Sequence, residues 1–114
     1  MATMILADFG ADVVTIERPG GDPFRGMPSS AVWLRGKRSV TLDLRTKDAQ
    51  DQLRALARGA DVVVAAAAPG TMERLGADHA TLTAENPRLI YCSITGFGPR
   101  GSLAGYRGRE SVVS

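Results

Sequence analysis

Four short runs of β-branched and apolar residues recur along the chain: 12–16 (DVVTI), 39–44 (SVTLDL), 61–64 (DVVV) and 89–94 (LIYCSI). Each is too short for a typical buried helix and has the composition of a strand. Helical patterns and turn residues fill the intervals. Strand and helix alternating over short connections predict an α/β domain with a parallel, doubly wound sheet. In such sheets ligands gather outside the carboxyl ends of the strands. The loops 17–25, 65–74 and 95–107 follow those ends and are the expected site.

The intervening signals are local. Residues 2–9 read as the last turns of an apolar helix, ended by Gly10, whose missing Cβ permits a left-handed cap. Residues 20–30 hold Gly20, Gly21, Gly26, Pro23 and Pro28 and are expected to be loop. Thr46 suits an N-cap, and Ala49, Leu53, Leu56 and Ala57 then form one apolar stripe of a helix closed by Gly59. Pro69 and Gly70 break the chain before a helical turn over 71–75. A second short helix is expected within 77–85, stopped by Asn86 and Pro87, because proline disfavours helical geometry in its predecessor.

A length of 114 residues allows one domain with an adequate core. The net charge of +2 makes no strong basic footprint, and 5% aromatic residues are too few for base stacking, which argues against nucleic acid as a partner. Cys92 is the single cysteine, so no internal disulfide or cysteine-based metal cluster forms; this suits a reducing cytosol. Inside an apolar run, Cys92 reads as a small buried hydrophobe. No segment approaches the ~18 to 20 apolar residues that span a bilayer, and no basic region precedes a hydrophobic block at the amino end. The expectation is a cytoplasmic protein that does not engage a membrane. His79 lies in a polar helical stretch and is expected to be exposed.

The positive charge is mostly arginine, whose planar fork binds phosphate through paired hydrogen bonds. Two stretches concentrate it beside strand ends and turns: IERPGGDPFRG at 16–26 and RGKRSVTLDLR at 35–45. The combination suits a phosphorylated ligand and points to coenzyme A. The glycines of the first stretch serve turn geometry, and no GxGxxG fingerprint is present.

The order ATMILADFGADVVTIERPGGDPFR, RGKRSVTLDLR, ADVVV with PGTMERLG, and NPRLIYCSITGFGPRG resembles the family III CoA transferases, which include formyl-CoA and carnitine CoA transferases and 2-methylacyl-CoA racemases. The resemblance covers nearly the whole chain. It implies that 1–114 is an incomplete amino-terminal, CoA-binding part of the large Rossmann-like domain, drawn from a longer subunit that forms an interlocked homodimer. It further implies that Arg18, Leu42, Arg45, Arg74 and Arg107 contact CoA. Coenzyme A and acyl-CoA would be substrates, together with carboxylic acids, and no cofactor would be bound permanently.

Three departures from the family pattern bear on chemistry. Ala65, Ala66, Ala67 and Ala68 stand where the family commonly has Asn and Phe, which removes a polar contact and an aromatic wall on the adenine side. Arg109 precedes Glu110 where the racemase branch has histidine, so transfer is favoured over two-base proton exchange. The family's nucleophilic aspartate is expected downstream of Ser114, and the first strand upstream of Met1; no catalytic residue is assigned within the chain. The function implied is the CoA-binding portion of an acyl-CoA:carboxylate CoA transferase working through an aspartyl-CoA intermediate, with no turnover by this stretch alone. The alternatives are a noncatalytic remnant that binds nucleotide or a partner protein, and a racemase-like enzyme.

Overall fold

The structure is a computed structural model that describes residues 2–21, 26–68, 70–98 and 100–106. Its elements run α1 (Ala2–Asp8), β1 (Val13–Glu17), α2 (Ser30–Trp33), β2 (Lys37–Thr41), α3 (Lys47–Arg58), β3 (Val62–Ala65), α4 (Thr71–Arg74), α5 (His79–Glu85) and β4 (Ile90–Ser93). The chain falls into two compact units, residues 1–49 and 50–114. The class is α/β with parallel strands, as the alternation predicts. The described strands pair as two separate ladders, β1 with β2 and β3 with β4.

In the first unit, α1 ends in a Schellman motif. The Gly10 N–H donates to the Ala7 carbonyl at 3.0 Å and the Ala11 N–H to the Leu6 carbonyl at 3.0 Å. Gly10 takes φ 99°, a conformation that side chains with a Cβ disfavour. The parallel register sets Val13 beside Lys37 and Glu17 beside Thr41. The ladder continues one residue further, where the Leu42 N–H donates to the Glu17 carbonyl at 2.9 Å. Two bidentate ion pairs brace the opposite end. Arg35 reaches Asp8, just before the turn out of α1, with Nε–Oδ1 3.1 Å and Nη2–Oδ2 2.6 Å. Arg38 reaches Asp12, just before β1, at 3.0 and 2.5 Å.

Helix α3 starts as its sequence requires. The Thr46 hydroxyl accepts from the Ala49 N–H at 3.2 Å and donates to the Asp43 carbonyl at 2.9 Å. Ala49 and Ala57 are buried and Leu53 is half-buried, whereas Leu56 is 44% exposed. The apolar stripe is therefore narrower than expected: residues 49, 53 and 57 follow the i, i+4 rows, and Leu56 points off their face.

The second unit holds the better-formed core. Ala57, Ala77, Leu82 and Leu89 are buried together, with Leu53, Ala60, Val63, Met72, Leu75 and Tyr91 packed around them. Strands β3 and β4 run parallel with Val62 beside Ile90 and Ala65 beside Ser93. Asp78 caps α5, its carboxylate accepting from the Thr81 N–H at 3.3 Å and the Thr81 hydroxyl at 2.6 Å. Tyr91 turns inward and donates its hydroxyl proton to the Ala77 carbonyl at 3.0 Å. Its neighbours Ile90 and Cys92 face the other way and are exposed. The expectation of a buried Cys92 is thus corrected, because alternation along the strand sends it to the face opposite the core. His79 is exposed, and its ring meets that of Tyr91 edge-on at 5.9 Å.

Candidate anion site

Strands β1 and β2 end side by side, so the residues leaving them share one edge of the first unit. Arg18 follows Glu17 directly and opens a tight turn in which the Gly21 N–H donates to the Arg18 carbonyl at 3.0 Å. Glu17 itself is buried, and the Arg18 side chain is exposed. Leu42 leaves the neighbouring strand at the same level. Its side chain is 6% exposed and its N–H is committed to the Glu17 carbonyl, so any contact it makes with a ligand falls to its remaining atoms.

Residues 43–46 then form a turn closed by the Thr46 N–H on the Asp43 carbonyl at 3.0 Å. Arg45 projects from it. Its Nε donates to Asp43 Oδ1 at 2.8 Å and its Nη2 to Asp43 Oδ2 at 3.0 Å, while its backbone N–H reaches Oδ1 at 3.2 Å. The Arg45 hydrogen bonds hold the Asp43 carboxyl below the usual carboxylate range, and Asp43 in turn raises the guanidinium further. The Arg45 side chain is 84% exposed, so the guanidinium is oriented yet open to solvent.

Arg74 belongs to the second unit, in the single turn of α4. Its Nη2 donates to the Thr71 hydroxyl at 3.3 Å, and the side chain is exposed. Arg107 and the neighbouring Arg109 and Glu110 lie outside the described residues. The structure thus brings Arg18, Leu42 and Arg45 to one strand-end edge, with Arg74 in the other unit. Ala65, the first of the four alanines, is buried at the end of β3.

Asp43 is the functional candidate that the sequence reading passed over. An acidic residue two positions before an arginine in a turn was the available signal, and only the turn geometry turns that spacing into a chelate. Among the described residues, no group of three or more His, Cys, Asp or Glu is arranged to hold a metal ion. No helix among them is long and apolar enough to cross a membrane.

Comparison with known proteins places this geometry in context. A probable fatty acyl-CoA transferase of Mycobacterium tuberculosis, Rv3272, is 41% identical over 100% of this chain, which spans 32% of that protein. A succinyl-CoA:mesaconate CoA-transferase of Haloarcula hispanica is 43% identical over 96% of the chain and 31% of its own length. The crystal structure of Rv3272 in its orthorhombic form superposes with a TM-score of 0.90 at 41% identity, over 97% of this chain and 33% of that one. A CAIB/BAIF family protein from Brucella suis gives a TM-score of 0.85 at 39% identity, over 93% and 32%. The chain therefore spans about a third of the length of these relatives. The CoA-transferase family III model matches residues 1–114 throughout, and the chain belongs to that family.

Proposed function

We propose that this chain is the CoA-binding portion of an acyl-CoA:carboxylate CoA transferase. The observation that carries the reading is the pairing of two arginine-bearing turns at adjacent strand ends, joined by the Leu42 N–H to Glu17 carbonyl bond. A carrier with a pyrophosphate and a ribose phosphate needs several charge-assisted donors converging from different loops. Arg18 and Arg45 meet that need from β1 and β2, and Arg74 and Arg107 keep the role that their match to the family implies. The named relatives, a probable fatty acyl-CoA transferase and a succinyl-CoA:mesaconate CoA-transferase, support the substrate class.

In this reading CoA and acyl-CoA are substrates and not resident cofactors, and the second substrate is a carboxylic acid. The arginines hold the charged end of the carrier, which leaves the thioester to a carboxylate supplied by polypeptide beyond these residues. An aspartate there attacks the thioester carbonyl, giving an acyl-aspartyl anhydride and releasing CoA thiolate. The thiolate then attacks the aspartyl carbonyl, forming aspartyl-CoA and freeing the first acid. The acceptor carboxylate attacks that thioester to give a second anhydride and CoA thiolate, which takes the acceptor's carbonyl and releases the aspartate. The interlocked homodimer and the cytoplasmic setting belong to the same proposal.

Calorimetric titration of the 114-residue chain with CoA tests the binding step. Weak, saturable heat is expected, and it should fall sharply in the double variant Arg18→Ala, Arg45→Ala with the circular dichroism unchanged. A folded sample that gives no heat with CoA overturns the reading.

A further inference from the structure

We infer that Asp43 is a positioning residue for anion binding: it pins the Nε–Nη2 side of Arg45 and leaves the outer Nη1–Nη2 side to receive a phosphate. The inference rests on the proposed CoA site and adds to it a residue with no ligand contact of its own.

The geometry separates two roles that an aspartate beside a binding arginine could play. As a plug, Asp43 would occupy the donors that a phosphate needs and would have to leave. As a clamp, it would fix the guanidinium while keeping a second pair of donors free. A guanidinium has five N–H donors in a rigid fork, and the two oxygens of Asp43 take one from Nε and one from Nη2. Two donors on Nη1 and the second donor on Nη2 remain, and one of the Nη1 donors forms with that Nη2 donor another parallel pair suited to an oxyanion.

The carboxylate is itself held in place. The Arg45 backbone N–H binds Oδ1 at 3.2 Å, and the Asp43 carbonyl closes the turn by accepting from the Thr46 N–H and the Thr46 hydroxyl. Turn, carboxylate and guanidinium thus form one local unit, and moving the Asp43 carboxylate aside would break its bond from the Arg45 backbone N–H as well as those from the guanidinium. Exposure agrees with the clamp: the Asp43 side chain is 33% exposed and that of Arg45 is 84% exposed, so the arginine presents its free side to solvent.

The two roles predict opposite signs. Removing a negative charge beside a cation strengthens anion binding by simple Coulomb attraction, and a plug would add to that gain. A clamp predicts the reverse, because an exposed arginine freed from its partner regains rotamer freedom that binding must again remove. The experiment is titration of CoA into the wild-type chain, Asp43→Asn, Asp43→Glu and Arg45→Ala, completed by the double variant Asp43→Asn, Arg45→Ala.

Asp43→Asn is expected to bind CoA roughly threefold to tenfold more weakly. Asp43→Glu should recover part of the loss, and Asp43→Asn should no longer weaken binding once Arg45 is alanine, a coupling that a general loss of stability would not produce. Without ligand, the Arg45 Nε–H resonance is expected to be broader and to exchange faster in Asp43→Asn than in the wild type. Binding by Asp43→Asn equal to or tighter than wild type overturns the inference and leaves the CoA site standing. Absence of binding by the wild-type chain instead overturns the CoA site, and this inference falls with it.

Discussion

Asn86 holds the end of α3 from 26 or more residues away, its Nδ2 donating to the Ala60 carbonyl at 2.9 Å and to the Ala57 carbonyl at 3.1 Å. A further contact reaches the Arg58 carbonyl at 3.3 Å. The last carbonyls of a helix have no partner within it, and here one side-chain amide serves several. Replacement by alanine leaves part-buried acceptors unsatisfied and should cost about 1 to 3 kcal/mol. Asp in this place should cost at least as much, since a carboxylate would face carbonyl oxygens. Urea unfolding of Asn86→Ala and Asn86→Asp checks both, and wild-type stability in either would refute the cap.

Gly76 closes α4 as Gly10 closes α1. The Ala77 N–H donates to the Met72 carbonyl at 2.9 Å and the Gly76 N–H to the Glu73 carbonyl at 3.2 Å, with Gly76 at φ 67°. A Cβ there would stand 2.9 Å from Arg54 Nη1. The arginine end is flexible and able to shift, so the backbone conformation dominates the cost. Gly76→Ala is expected to lose about 1 to 2 kcal/mol. A substitution without effect would show that the turn relaxes out of the left-handed region.

Much of the fold was legible because its signals are local. All four strands lie within two or three residues of the runs that announced them, since β-branched composition and flanking turns act at short range. Thr46, Gly10 and the Asn86–Pro87 stop behaved as written. What escaped depends on contacts between distant residues or on facing. Helix α2 is four residues long and carries no period to read. The continuous apolar run at 89–94 hides which side chains face the core, so Cys92 was assigned inward while Tyr91 took that position. At the site, the charged turns after β1 and β2 were visible, but the Asp43 chelate was not, because charge spacing alone does not distinguish an ion pair from two solvated groups.

The exposure of Cys92 has a direct chemical consequence. A thiol on the open face of β4 should react with a maleimide or an aromatic disulfide in the native chain within the time an unfolded control requires, to within about tenfold. A buried cysteine would wait for local opening and lag by far more. Protection of that size in the folded chain would contradict the strand facing described above.

Tyr91 links the second core to alkaline pH. Burial raises its pKa above the ordinary value of about 10, and the negative charges of Glu73 and Asp78 raise it further. The folded state therefore favours the protonated phenol. Its stabilisation is complete below the unfolded-state pKa near 10 and is lost as pH rises through the higher folded-state value. Tyr91→Phe should cost about 0.5 to 1.5 kcal/mol at neutral pH by losing the bond to the Ala77 carbonyl. It should also flatten the decline in stability above about pH 10. Parallel curves for the two proteins on the alkaline side would refute the assignment.

The Asp8–Arg35 pair makes the corresponding prediction in acid. Its bidentate geometry joins α1 to the turn that leads into β2, and the hydrogen bonds from Arg35 hold the Asp8 carboxyl below its usual range. A depressed carboxylate contributes stability that is present above the unfolded-state pKa near 3.9 and is lost as pH falls through the lower folded-state value. Asp8→Asn should therefore melt below wild type at neutral pH, with the gap closing only under about pH 4. Both side chains are substantially solvent-exposed, so about 1 M salt, with a Debye length of about 3 Å, should shrink the gap at neutral pH as well. Melting temperatures of the two proteins across pH 2 to 7 at low and high salt provide the check. A gap that persists unchanged at the acid end would mean that the asparagine acts through packing and not through the lost charge.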